Sequence, residues 1–319
     1  MVTMKDVAKA AGVSIITVSR VINSPNLVKE NTRIEVERLM KEMGFLPNHA
    51  AKALAENSTR AIHLYVPRTM GISDPFIMNL LAGVSEELSN AFYLSLIRRD
   101  MDFNQRCDGV IIMGLNLLEE KNFTEKFKVP IVLFGKTDLE VDCIDIDNFK
   151  GAVMMTENII AKGHKRIGFI KINTDQRFTI ERFEGYKKAL ENKNIPYEEN
   201  LIRYAENTEM GGYNQCLDLI VKEKPTAIFC SNDLLAIGAF RAAEKLKLRV
   251  PEDISIAGFD GLVFDLVTKT PLTTVRQPVY EAGKRLAARL LERIKTPELP
   301  IEKSLISPEL IIRDSIRNI

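Results

Sequence analysis

"AGVSIITVSRVIN", residues 11–23, decides how the first part of this chain folds. Ser14 is a good N-cap, because its hydroxyl can accept from an unpaired amide of a first helical turn. After it Val18, Val21 and Ile22 recur at spacings of three and four, the inward stripe of an amphipathic helix. At about 100° per residue, Ile16 falls opposite that stripe beside Arg20, and Ile15 falls on its flank. A helix that aims isoleucine and arginine at solvent suggests a partner. A small bundle with an incidental exposed isoleucine has the same pattern, since single apolar residues on surfaces are common.

Outward from this stretch, Thr3 followed by Asp6 is a capping-box start, and "MKDVAKAA" runs to a stop at Gly12. Two short helices joined by a glycine-containing turn predict a helix-turn-helix. A third helix is expected within "NTRIEVERLMKEMG" (31–44), with Ile34, Leu39, Met40 and Met43 as apolar anchors and Gly44 as its stop. In "FLPNHAAKALAENSTRAI" (45–62) a helix starts at Pro47 or Asn48 and stays alanine-rich only to Ala55. A helix this short is marginal in water, where roughly 12 residues or more are needed, so it is expected to order on binding.

The bulk properties set limits. A chain of 319 residues, 45% hydrophobic and 27% charged, is globular and long enough for two or three domains. Cys107, Cys143, Cys216 and Cys230 show no CxxC spacing, and His49, His63 and His164 lie far apart, so no metal site or disulfide framework is indicated. No apolar run reaches the roughly 18 residues of a membrane span, and the N-terminus lacks a signal-peptide core, so a cytoplasmic protein with no membrane partner is expected. No GxxxxGK[ST], GxGxxG, nucleophile elbow or metal spacing occurs, which argues against an enzyme and implies no cofactor. Residues 1–60 carry nine Lys and Arg against six Asp and Glu, a mild basic bias that fits a polyanionic partner.

From residue 61 the period changes. Apolar runs of strand length ("AIHLYVP", "FYLSLI", "CDGVIIMG", "VPIVLFG", "RIGFIKI", "PTAIFCSND", "DISIAGFD") alternate with amphipathic helices ("FIMNLLAGVSEELSNA", "GAVMMTENIIAKG", "RFEGYKKALENKN", "GYNQCLDLIVKEK", "LLAIGAFRAAEKL"). Such alternation predicts parallel sheets. The number of units predicts two doubly wound lobes, with ligands at the carboxyl ends of the strands. Gly163 in "GHKRIG" reads as a helix C-cap rather than a phosphate loop.

"DVAKAAGVS", "TVSRVIN", "TR" and "PN..A..LA", spread over some fifty consecutive positions, resemble the DNA-binding headpiece and hinge of the lactose/galactose-repressor family of bacterial transcription regulators. "DGVIIMG", "IDNFKGAVMMTENIIAKGHKRIGFI", "PTAIFCSNDLLAIGAF", "LRVPEDISIAGFD" and "PLTTVRQPVYEAG" resemble that family's periplasmic-binding-protein-like core. The resemblance implies an all-α headpiece (1–46), a hinge helix and linker (47–60) and a two-lobed α/β core (61–319). Its N-lobe is expected at 61–148 and 277–303, and its C-lobe at 149–276 and 304–319.

The resemblance also assigns roles. Ile15, Ile16 and Arg20 occupy positions that read base edges in the major groove, where isoleucine can pack on a thymine methyl and arginine can chelate guanine O6 and N7. Ser14, Thr17 and Asn23 suit phosphate oxygens. Leu54 matches a leucine that wedges open a minor-groove base step, and Lys52 stands where an arginine is common. His49 faces DNA backbone, a partner hinge or solvent. The implied partners are a pseudo-palindromic operator and a second copy of the chain, as a homodimer or a dimer of dimers.

In the core, Arg182 and Asp260 match positions that grip the effector, Asn232 lies at a third interlobe position, and Phe76 is an aromatic floor. A donor fork on one side and a carboxylate on the other suit a sugar or sugar derivative, because each can engage two adjacent hydroxyls. A non-sugar effector, a phosphorylated protein co-effector and a transport receptor are the other readings, the last opposed by the headpiece. Gly114 and Gly135 stand where polar residues are common, and Asn207 where an aromatic often stacks. Only "MDFNQR" (101–106) separates "FYLSLIRRD" from "CDGVIIMG", shorter than the dozen residues of a parallel crossover, so the second N-lobe helix is expected to be mostly absent.

Overall fold

A computed structural model of the chain describes residues 2–23, 25–46, 53, 57–68, 70, 71, 74–101, 105–116, 119, 120, 123, 128–261 and 268–319. It forms two compact units, Met1–Thr59 and Arg60–Ile319.

The first unit holds α1 (Met4–Ala10), α2 (Ile15–Asn23) and α3 (Glu30–Glu42). Thr3 and Asp6 close a reciprocal capping box on α1. Gly12, at φ +63°, makes the turn that only glycine adopts without strain. Val7, Ala8, Val18, Val21 and Val36 form the buried core, with Ile22, Met40 and Met43 packed against it. This corrects one expectation: Ile34 is exposed, and the buried anchor of α3 is Val36. Val36, Met40 and Met43 recur at four and three, whereas Ile34 sits about 200° from Val36 on the helical wheel. Of the expected hinge, Pro47, Asn48, His49, Lys52, Leu54 and Ala55 lie outside the described residues.

The second unit opens with β1 (Ala61–Tyr65), α4 (Pro75–Asn90), β2 (Leu94–Arg98), β3 (Gly109–Met113), β4 (Ile131–Phe134) and β5 (Asp142–Ile146). After these come α5 (Asn148–Ala161), β6 (Ile167–Ile172), α6 (Arg177–Asn192), β7 (Ile202–Ala205), α7 (Glu209–Glu223), β8 (Ala227–Cys230), α8 (Asp233–Lys245) and β9 (Ser255–Ala257). The chain then returns through β10 (Thr274–Arg276), α9 (Val279–Lys295), β11 (Lys303–Ile306) and β12 (Glu309–Ile311).

One parallel sheet runs β11-β5-β4-β3-β1-β2, a second runs β7-β6-β8-β9, and β10 pairs antiparallel with β12. The two doubly wound lobes are therefore present. Gly163, at φ +97°, follows α5 and donates to the Ile160 carbonyl, the helix stop the sequence suggested. The chain crosses back into the C-lobe later than expected, since β11 still hydrogen-bonds to β5 through Ile306.

Helices α4 and α9 cover one face of the first sheet around Leu80, Val84, Ile111, Ala282 and Leu286. They approach closely because Gly83 faces the Tyr280 backbone and Gly283 faces that of Leu80, where a Cβ would meet a carbonyl oxygen at 2.0 and 2.2 Å. At the base of β5, Asp142 is 2% exposed and accepts from Arg289, Arg293 and the Glu302 amide. Burial would raise its carboxyl, but those donors outweigh it and hold the group below the ordinary range. Edge strand β2 keeps its residues at the surface, with Leu94 75% exposed. Ten residues join β2 to β3, and among the described ones none is helical, as the short connection predicted.

Candidate functional site

In the first unit, Ser14 caps α2: its hydroxyl accepts from Thr17 N at 3.1 Å and lies 2.9 Å from the Thr17 hydroxyl. The inward stripe is satisfied by Val18 and Val21, which leaves the opposite face free. Ile16 is 64% exposed and Ile15 46%, and Arg20 is exposed beside them. Asn23 ends α2, and its side chain lies outside the described residues, as do Lys52 and Leu54. Ile16 and Arg20 thus stand on one solvent face of a short capped helix, with Ile15 on its flank.

In the second unit, a cavity of about 670 Å³ opens at the carboxyl ends of the strands of both sheets. Phe76, Arg182, Asn232 and Asp260 all line it. Phe76 follows the Asp74 cap of α4 and leans on Phe134, with ring centroids 5.7 Å apart. Asn232 caps α8 by accepting from Leu235 N at 2.9 Å, and its amide donates to Asn207 at 2.7 Å. Asn207, standing where an aromatic often stacks in the family, presents a polar wall.

Arg182 and Asp260 do not face each other across an open space. They are an ion pair at 3.2 Å. Arg182 Nε also donates to Asn148 Oδ1 at 2.9 Å, and Nη1 donates to the Ser231 carbonyl at 2.6 Å. Its guanidinium lies 3.7 Å from the centroid of Phe259. Burial pushes the Asp260 carboxyl up, to about 6, against the pull of Arg182. Asp260 takes φ +128°, a backbone region that L-residues rarely adopt, and Gln277 Nε2 donates to its side chain at 2.7 Å.

Three further features escaped the sequence reading. Asp145, near the end of β5, lines the cavity with both carboxylate oxygens taking backbone amides, from Lys136 at 2.9 Å and Ile146 at 2.7 Å. Burial raises it to about 7. The start of α6 is tied to the other lobe: Arg177 bridges Glu120 at 3.0 Å and Asp138 at 2.6 Å, while Glu181 meets Lys136 at 2.9 Å. Arg99, just after β2, donates Nη2 to the Met70 carbonyl at 2.6 Å, and its buried Nη1 has no hydrogen-bond partner among the described residues. The only sequence signal for these was the pair of acids in "DCIDI", which interrupts a strand-length apolar run. Gly114, at φ +69°, lets Met70 seat against the loop after β3, where a Cβ would meet Met70 Cε at 2.5 Å. No group of three or more His, Cys, Asp or Glu able to hold a metal occurs among the described residues.

A helix-turn-helix unit with an exposed reading face, joined in one chain to a two-lobed core with an interlobe cavity, defines a DNA-binding transcriptional regulator. The chain belongs to the lacI family of bacterial regulatory proteins: that family's model matches residues 3–48, and a periplasmic binding protein-like domain matches 156–316. It is 36% identical over 319 residues to the uncharacterized HTH-type transcriptional regulator YvdE of Bacillus subtilis (strain 168), covering 99% of each chain. Among solved structures it resembles the transcriptional regulator CelR in complex with cellobiose, at TM-score 0.76 and 28% identity, over 99% of this chain and 100% of that one. It also resembles a LacI family regulator from Enterococcus faecium with bound ribose, at TM-score 0.73 and 26% identity, over 81% and 99% of the two chains.

Proposed function

We propose that this regulator is a repressor of a carbohydrate-utilisation operon, acting in the cytoplasm as a homodimer on a pseudo-palindromic operator and controlled by a sugar bound between the core lobes. The observation that carries this reading is the cavity, where Arg182, Asp260, Asn232 and Asn207 supply donors and acceptors beside the aromatic Phe76. Polar groups of both kinds next to an aromatic ring match a polyhydroxylated ligand, with its edge of hydroxyls and its apolar ring face. The saccharides bound by CelR and by the Enterococcus faecium regulator support the same class. Within the headpiece, Ile15, Ile16 and Arg20 read bases, and Ser14, Thr17 and Asn23 set register on phosphates. Lys52 and Leu54 act in the minor groove. No catalytic role is assigned to the chain.

Effector and operator are coupled by a free energy that works in both directions: a sugar that weakens operator binding is itself bound more weakly by the operator complex. The test is operator selection from random DNA, followed by titration of the selected duplex with sugars under fluorescence anisotropy. Repression predicts a palindromic sequence and a sugar that shifts its affinity by about 5- to 150-fold. A selected sequence whose affinity no sugar changes, but which a non-sugar metabolite does change, would overturn the carbohydrate part.

A further inference from the structure

Asp233, the first residue of α8, is fully buried. An aspartate is seldom buried so completely unless its oxygens are in use. Here Oδ1 accepts from the buried Thr274 hydroxyl at 2.6 Å, and Oδ2 accepts from the Gly261 amide at 2.9 Å. A Cβ on Gly258 would meet Oδ1 at 2.2 Å, so only glycine admits the carboxylate there. The two glycines bracket "GFDG" (258–261), and the residues between them both grip Arg182. Phe259 does so with its ring, 3.7 Å from the guanidinium, and Asp260 with the ion pair at 3.2 Å.

This segment does not keep its shape unaided. Asp260 at φ +128° and Gly261 at φ +66° are consecutive residues outside the ordinary backbone regions. For an L-residue such a conformation persists only where its surroundings over-determine it. Strand β10 supplies part of the constraint: Asp260 N donates to the Val275 carbonyl at 2.8 Å, and the Asp260 carbonyl accepts from Gln277 N at 3.0 Å. Asp233 takes the amide hydrogen of that same Asp260–Gly261 peptide. With its oxygen and its hydrogen both held, the peptide plane cannot turn over, and the Asp260 carboxylate stays on Arg182.

We propose that Asp233 is a positioning residue for effector recognition: by holding the segment at both glycines, it keeps Phe259 and Asp260 on Arg182 and so fixes the guanidinium that an effector meets. This rests on the reading above that a sugar binds at Arg182, and it adds what keeps that group in place.

The test uses the full-length protein and two readouts. One is calorimetry with glucose, ribose, maltose and cellobiose. The other is the nitrogen NMR spectrum of the arginine side chains, where the Arg182 Nε–H bears the ring-current shift of Phe259 and is assigned from Arg182→Lys. Asp233→Ala should lose that shift and bind the wild type's sugar at least about tenfold more weakly, the worth of one hydrogen bond to a charged group. Asp233→Asn, whose oxygen still accepts from Gly261 while its amide faces the Thr274 hydroxyl, should keep the shift and bind within about threefold of the wild type. Thr274→Val, which deprives the same carboxylate of its other donor, should lower stability to urea and leave both readouts in place. An Asp233→Ala protein with the shift and affinity intact would overturn the proposal. So would an asparagine variant that behaves like the alanine, or affinity that falls in step with stability across the three variants. Should Asp233→Ala not fold, Gly258→Ala displaces the carboxylate from within, and wild-type readouts from it would overturn the proposal equally. If the wild type binds no sugar while operator binding is intact, the carbohydrate reading falls and the spectrum alone decides the role of Asp233.

Discussion

Replacing Arg182 with alanine removes a guanidinium that is 4% exposed and serves three acceptors. Asn148 Oδ1 cannot turn away, because its Nδ2 is fixed on the Ile146 carbonyl at 2.9 Å. The Ser231 carbonyl belongs to a fully buried residue. Each stranded acceptor costs about 1–3 kcal/mol. Asp260 limits its own loss: it keeps the Gln277 donor, and its raised pKa of about 6 lets it take up a proton near neutrality. Loss of the stack on Phe259 adds about 1 kcal/mol. The sum is about 4 kcal/mol, within the ~3–5 kcal/mol range for breaking one side of a buried ion pair.

The assay is urea unfolding of the full chain followed by tyrosine fluorescence. The sequence has no tryptophan, and all seven tyrosines lie beyond residue 60, so the signal reports on the core alone. Asp260→Asn, which still presents an oxygen to Arg182, should cost about 1 kcal/mol. A loss below about 1 kcal/mol for Arg182→Ala, or one equal to that of Asp260→Asn, would refute the arrangement, since a buried three-acceptor donor cannot be removed so cheaply. Loss of sugar response in Arg182→Ala must therefore be read beside its stability.

Three more outcomes are expected. Arg20→Ala should weaken operator binding by about 1–3 kcal/mol and relax preference at one base per half-site, measured against random DNA; equal weakening on both would assign Arg20 to phosphate. In the headpiece Val36→Ala should cost about 2 kcal/mol and Ile34→Ala within about 0.5 kcal/mol, read from hydrogen exchange of residues 2–46, and the reverse order would mean that α3 is turned the other way. Asp145 has a folded-state value raised to about 7, so the stability it contributes is fully present below the ordinary carboxylate range and lost as pH rises through about 7. His63 and His164 are lowered by burial and act with the opposite sign, losing stability as pH falls through about 6.5 toward their lower folded values. Between pH 6.5 and 8 the wild-type core should therefore lose melting temperature relative to Asp145→Asn; parallel pH profiles of the two proteins would contradict it.

The parts legible in the sequence were those whose residues satisfy one another locally. The Thr3–Asp6 box, the Ser14 cap and the Val18–Val21 stripe each act within one helical turn. Strands β1 to β4, β6, β8 and β9 read as apolar runs. Strand β5 did not, because Asp142 and Asp145 break the run, and the arginines that make Asp142 tolerable lie 147 and 151 residues away. Helix α9 has a regular buried stripe of Ala282, Leu286 and Leu290 that is also legible as a helix. Ile34 reads as an anchor by its apolar side chain alone, but its phase on the helix puts it outside, and Val36 is the buried residue. At the cavity the residue types were legible and their state was not: Arg182 and Asp260 are 78 positions apart, and their neutralisation of each other exists only once α6 meets the end of the second sheet.

The late return of the chain has a consequence for its synthesis on the ribosome. The first sheet lacks its outer strand until Lys303–Ile306 has emerged, and Asp142 has no arginine to receive its charge until Arg289 and Arg293 arrive. The C-lobe waits equally, for β12 and for Ser315, whose hydroxyl donates to the Ile256 carbonyl at 2.6 Å. The headpiece can fold as soon as it clears the exit tunnel, since α1 to α3 bury their core within residues 2–45. At roughly 5–20 residues per second, a competent reading head therefore precedes either finished lobe by about fifteen seconds to a minute. During that interval a nascent chain can touch DNA but cannot yet respond to a sugar.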